Sequence, residues 1–256
     1  MRKIRNFTIF LFFICLFLFS DCGLDTYYVL DGPGTAYNTP SVDSSSYTSS
    51  TVYSSAYFDF STRDGSGNNK SNGDFTFEGT SVYYKIYRDY TLMNSHRTTV
   101  DSLVTSTNAS SSATKIIQDY KYVQLGSDKG SLSPLIPECG STQRIYIRLT
   151  NYQASDWQAE IRIQNENGTV VQERYIPMRT GNSKSFDFGR KNSDGNYDKP
   201  QEGDDDVYWS SSSSEEDMWY VNLYAVSVGR DNTFTSYYSP VLWLGSVAID
   251  ASSEDN

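Results

Sequence analysis

One histidine and three cysteines in 256 residues leave the chain short of the side chains that most often hold metals or act as nucleophiles. His96 alone supplies no two-histidine metal set. A Ser-His-Asp relay would need it beside both a nucleophile and a buried acid, and no G-x-S-x-G, H-E-x-x-H or P-loop pattern occurs. Next to Arg97, His96 reads as a surface side chain. Cys139, in "PECGS", has Glu138 beside it, which opposes a thiolate, so it reads as a half-buried structural thiol. Neither catalytic residues, a metal site nor a cofactor is expected. Basic residues are scarce too, 21 against 31 acids, for a formal charge of −10. Nucleic acid phosphates call for a basic face, so that balance argues against a nucleic-acid partner and against anionic lipid headgroups as a direct one.

Long apolar runs are missing with one exception. Phe7 to Phe19 is broken only by Thr8 and follows Arg2, Lys3 and Arg5, the layout of a secretory signal. As a helix it reaches roughly 20 Å, short of the ~30 Å hydrocarbon core, so a permanent span is disfavoured. Loss of residues 1–21 would remove three bases and one acid and make the charge more negative by two. Cys15 lies inside the signal, which leaves Cys22 and Cys139. A disulfide between them is conceivable, but a chain of this size that relied on such staples would carry several pairs.

The stretch Leu18-Phe19-Ser20-Asp21-Cys22 resembles the lipobox of bacterial lipoproteins, with Ser20 as the small residue before the cysteine and with Phe19 and Asp21 departing from the strict pattern. Spirochaete lipoproteins have loose lipoboxes as a family, and "CGLDTYYVLD" is similar to the start of treponemal lipoproteins of unassigned function. The resemblance implies diacylglycerol on the Cys22 thiol, cleavage before it, and an exported protein held at the outer membrane or cell surface by covalent lipid. Two or more acyl chains hold stably where one does not.

Beyond the cysteine, Gly32 to Ala56 is rich in Ser, Thr, Tyr and Pro without an apolar period, so residues 22–56 read as a disordered tether. From Tyr57 the chain turns strand-like. Runs such as "DFTFEGTSVYYKIY", "RIYIRLT" and "WQAEIRIQ" are dense in Tyr, Ile, Val and Phe and are punctuated by Gly, Asn and Asp. Ile145, Ile147 and Leu149 alternate with arginines, as do Trp157, Ala159, Ile161 and Ile163 with polar residues, which puts one face on a core. Asn167-Gly168 marks a hairpin whose register stays open: Ile163 against Gln172, or Ile161 against Tyr175. Trp219 to Val228 and Val241 to Ile249 are apolar on both faces, as strands covered on two sides would be. Residues 94–122 carry spacings of three and four and read as two short helices inserted between strands, capped by Asn94 or Ser95. The acidic, Ser-rich stretch 189–217 reads as a long exposed loop.

"WYVNLYAVSVGRDNTFTSYYSPV" resembles the end of a fibronectin type III or related immunoglobulin-like domain. Val221, Leu223 and Ala225 match the inward positions, Gly229 the turn, and Ser239-Pro240 the return, while "VYYKIY" resembles a middle strand of such a sandwich. Trp219 stands where that family has its corner tyrosine, and the chain is about twice the length of one module. The expected architecture is therefore mainly β: a sandwich domain over residues 57–250 with a short helical insertion and a disordered tail, 251–256. One elaborated sandwich and two smaller ones split near residue 135 both fit.

Three constellations bear on function. Glu78, Glu160, Glu173 and Asp187 could supply paired carboxylates, but in so acidic a chain some pair falls close by chance. The loop from Asp64 to Asp74 has Asn69 where an EF-hand needs glycine and Phe75 where it needs glutamate. Asp204 to Asp206 with Asp194, Asn196 and Asp198 read as a solvated acidic loop able at most to gather an ion weakly. Exposed aromatics can stack on sugars or anchor a protein, and Tyr208 and Trp209, beside that acidic loop, form the expected ligand surface. The function expected is non-catalytic binding or envelope structure with a protein or carbohydrate ligand; the alternative is a carbohydrate-binding or weakly hydrolytic sandwich.

Overall fold

The computed structural model describes residues 27–42, 54–130, 133–151, 158–179, 184–189, 191, 194–211 and 217–252. The expected signal, Cys22, the middle of the expected tether and residues 253–256 lie outside them. The first strands are β1 (Ala36–Asn38), β2 (Phe58–Ser61) and β3 (Phe75–Tyr87), followed by helices α1 (Tyr90–Val104) and α2 (Ser111–Thr114) and a π-helical turn, Lys115–Asp119. Then come β4 (Val123–Gln124), β5 (Gly126–Ser127), β6 (Ile136–Pro137), β7 (Gln143–Arg148), β8 (Glu160–Asn165), β9 (Val171–Tyr175) and β10 (Pro177–Met178). The last are β11 (Val207–Tyr208), β12 (Met218–Asp231), β13 (Ser236–Tyr238) and β14 (Leu242–Asp250).

Two sheets face each other. One runs β1-β2-β7-β8-β9, and the other is built on the long antiparallel pair β3 and β12. On the outer edge of β3 lie β4, β6 and the parallel β11, while β13 and β14 share the far edge of β12. Strand alternation assigns the faces. Phe58, Phe60, Ile145, Ile147, Ile161 and Ile163 from the first sheet meet Val82, Tyr84, Ile86, Val221, Leu223 and Ala225 from the second in one core. That core draws on residues from both sides of position 135. Each large apolar side chain so buried contributes about 1.5–3 kcal/mol relative to exposure.

A third layer explains why β12 is apolar on both faces. Its alternate residues Tyr220, Tyr224 and Val226, with Tyr83 and Tyr87 of β3, pack under Met93, Val100, Ala113 and Ile116 of the helical insertion. The helices are therefore a lid on the second sheet's outer face. α1 begins earlier than its apolar spacing suggests, because Asp89 rather than Asn94 or Ser95 caps it by accepting from the Leu92 amide at 3.0 Å.

The hairpin takes the longer of its two registers, Ile161 against Tyr175, with a bulge between Ile163 and Gln164 that absorbs the extra residue. Gly229 does not turn the chain. It stays inside β12 opposite Phe77, where a Cβ would lie 2.3 Å from the Phe75 ring, and the turn comes at Asp231 to Thr235 instead.

The expected tether differs most from what is seen. Residues 27–42 lie on the domain: Leu30 and Val42 are buried, β1 pairs with β2, and Asp31 accepts from the Asn68 amide at 2.9 Å. The Pro40 carbonyl accepts from the Ser246 amide at 2.8 Å. Gly245, at φ +126°, lets it approach, since a Cβ there would meet that same carbonyl oxygen at 2.3 Å. No helix among the described residues is long and apolar enough to cross a membrane.

Candidate functional site: a cleft at Arg88, Trp209 and Trp219

The parallel pairing of β11 with β3 sets Val207 beside Ile86 and Tyr208 beside Tyr87. Continuing that register brings Trp209 beside Arg88, the residue after β3. On the other side, Tyr220 of β12 lies opposite Tyr87, so Trp219 also comes to Arg88. The Arg88 guanidinium carbon lies 4.6 Å from the Trp209 ring centre and 5.9 Å from that of Trp219. The two indoles are 6.0 Å apart and tilted by 43°. They form a corner, not a flat row.

This corner is the back of a cleft of about 420 Å³, whose rim adds Lys199, Pro200, Gln201, Glu202 and Asp217. Lys199 Nζ and Asp217 Oδ1 pair at 2.5 Å across it. Among the described residues Arg88 has no carboxylate partner. Its buried Nε and the buried Nε1 of Trp219, itself 2% exposed, have no hydrogen-bond acceptor there either. Two residues lining one small cavity thus each carry a buried N–H without an acceptor. Buried donors normally find partners, and one left without costs about 1–3 kcal/mol.

The sequence-expected pair is split by strand alternation. Trp209 faces the cleft, whereas Tyr208, 38% exposed, stacks on Tyr87 at 5.8 Å and 16° and meets His96 edge-on at 5.1 Å, under the helical layer. His96 itself is half-buried and not a free surface residue. Its ring stacks on Tyr120 at 3.8 Å, and Nδ1 lies 3.0 Å from the Tyr87 hydroxyl. Burial, helped by the charge of Lys115, pushes its pKa down and so favours the neutral ring. The Tyr87 hydroxyl donates to that of Tyr122 at 3.1 Å, which accepts from Asn222 at 2.8 Å. This chain of hydrogen bonds ties the helical layer to the sheet.

The acidic loop is organised around a cation. Arg179, 1% exposed, donates from Nε to Asp206 Oδ2 at 2.8 Å, and its terminal nitrogens donate to Asp206 Oδ1, Asp204 Oδ2 and the Asp198 carbonyl, each at 2.7 Å. The Tyr84 hydroxyl adds a 2.7 Å bond to Asp206, and Lys184 one of 2.8 Å to Asp204. Burial raises the Asp204 carboxyl, but the bonds from Lys184 and Arg179 outweigh it and hold the group below its ordinary value. Asp198 accepts from the Ser185 amide and hydroxyl. Asp204 and Asp206 thus face an arginine where the solvated-loop reading has them face water. Among the described residues no group of three or more His, Cys, Asp or Glu is arranged to hold a metal.

Of the candidate acids, Glu160 pairs with Arg162 and Arg174, and Glu78 with Arg230. Asp187 accepts from Thr150 and from the Asn151 amide. Cys139 is exposed, its thiol 3.3 Å from the Ser141 carbonyl. Sequence reasoning found Trp209 but missed Arg88 and Trp219. The available signal was an arginine ending the buried alternation of "VYYKIY". The fold defines a mainly β sandwich with a helical layer on one sheet. No family model, curated protein or solved structure matches the chain.

Proposed function

We propose that the chain is an exported protein held at a membrane of the cell envelope by lipid on Cys22, and that its sandwich is a non-catalytic binding module whose ligand enters the Arg88 cleft. The anchor reading rests on the apolar run 7–19, which ends just before Cys22. The binding reading rests on one observation: an arginine lies against two tryptophans in an open cavity with no acid paired to it among the described residues. A volume of about 420 Å³ falls in the range of small-molecule sites.

A carbohydrate is the second reading, favoured by the Trp209 ring beside Gln201, Glu202 and Asp217 on the rim. The 43° tilt and the burial of Trp219 leave one ring for stacking, not a row. Metabolic labelling with a palmitate analogue tests the anchor. Label on the natural protein and none on Cys22→Ala is expected, and equal labelling of the two would overturn it.

A further inference from the structure

Resting on the reading of the Arg88 cleft as a binding site, we infer that its ligand presents a carboxylate carried on a flat or apolar body. Three features converge on that chemistry. Arg88 is a permanent cation with donors in the plane of its fork, a geometry that matches a carboxylate. The Trp209 ring 4.6 Å from the guanidinium leaves its positive charge unneutralised, because a ring quadrupole attracts a cation without cancelling it. Trp219, which lines the same cavity, carries a second buried N–H without an acceptor, so neither residue at the back of the cleft presents an acceptor to compete with a ligand's carboxylate for the guanidinium.

The rim is compatible with an anion. Asp217 is held by Lys199, and Glu202 is solvent-exposed, so neither acid contests the guanidinium at the back. The walls that are not polar are indole and the Pro200 ring, which suit a ring or short apolar chain next to the acid group. By contrast Arg179, which binds the 198–206 loop from the end of β10, has its acids already in place.

Intrinsic tryptophan fluorescence of the purified full chain, titrated with phenylacetate, tests this, since Trp209 and Trp219 form the wall. Saturable change is expected, with the isosteric neutral phenylacetamide at least about tenfold weaker, the loss of one charge-assisted bidentate contact. Arg88→Gln should abolish the preference for acid over amide while leaving the urea midpoint close to that of the natural protein. Calorimetry with Trp209→Phe, which keeps the cation, should retain the preference even though the optical signal falls.

N-Acetylphenylalanine and galacturonate distinguish the source of the carboxylate. Tighter binding of the first assigns a peptide C-terminus, and of the second an acidic sugar. Equal binding of phenylacetate and phenylacetamide, or a preference that survives Arg88→Gln, would overturn the carboxylate assignment while keeping the cleft as a binding site. Binding of none of the four compounds would overturn both.

Discussion

Arg179 and Arg88 both touch the loop that runs from Asp198 to Trp209, and they are treated in opposite ways. Around Arg179 the chain has gathered Asp206 as a bidentate partner, Asp204 as a second, a backbone carbonyl as a third and Tyr84 to complete Asp206. Around Arg88 it has gathered two indoles and an opening. An ion taken out of water costs several kcal/mol unless its geometry and remaining hydrogen bonds are satisfied, and the first site meets that condition wholly from within. The second meets it by keeping the cation beside solvent and against π-faces. One arginine holds the loop in place; the other lies in the cleft beside it.

The largest effect therefore belongs to the first. Arg179→Met should destabilise the fold by about 3–5 kcal/mol, because it strands Asp206, 2% exposed, without its counter-ion. Urea unfolding followed by tryptophan fluorescence measures it. A loss below ~1 kcal/mol would mean that the loop is held by its other contacts, and the contrast between the arginines would lose its first half.

How much of this was readable beforehand depends on the scale of the pattern. The alternation in "RIYIRLT" and the double apolar face of "WYVNLYAVSV" both became central strands, because burial on one side or two is written into residues that are neighbours in the chain. The helical insertion was legible for the same reason. Gly229 was misread as a turn because a glycine without a Cβ serves equally for a bend or for the close approach of Phe75, and only the partner strand decides. Val42 stands alone in polar sequence and Leu30 ends a run of only four residues, Tyr27 to Leu30, so no period announced that residues 27–42 dock on the sandwich.

The site was hardest of all. Trp209 meets Arg88 through β11, a two-residue parallel strand too short to leave a periodic trace, and Arg179 finds Asp204 and Asp206 only through the tertiary fold. From sequence, an acidic run reads as solvated. Its counter-charge was distant in the chain.

The second half of the contrast predicts a small effect. Arg88→Met replaces a guanidinium against Trp209 and Trp219 with a flexible apolar side chain of similar reach, so what is lost is chiefly the cation–π attraction, about 0.5–1 kcal/mol. The urea midpoint should move by no more than about a third of the Arg179→Met shift. A loss as large as that of Arg179→Met would make Arg88 a structural cation, and the cleft would then be a packing feature with no claim to a ligand.

The smallest expected effect sharpens the first site by pH. The folded protein holds the Asp204 carboxyl below its ordinary value through Lys184 and Arg179. Below an unfolded pKa of about 3.9 the unfolded chain therefore binds this proton more readily than the folded one. The sign follows: the group's stabilisation is fully present above about pH 4 and is lost as the pH falls through the folded value. Urea midpoints measured from pH 6 down to pH 3 should decline less steeply for Asp204→Asn than for the natural chain, with the two curves parallel above pH 5. Parallel curves throughout would show that the charge on Asp204 adds nothing to the fold's response to acid, and its bonds to Arg179 and Lys184 would then count as surface contacts without a share in holding the loop.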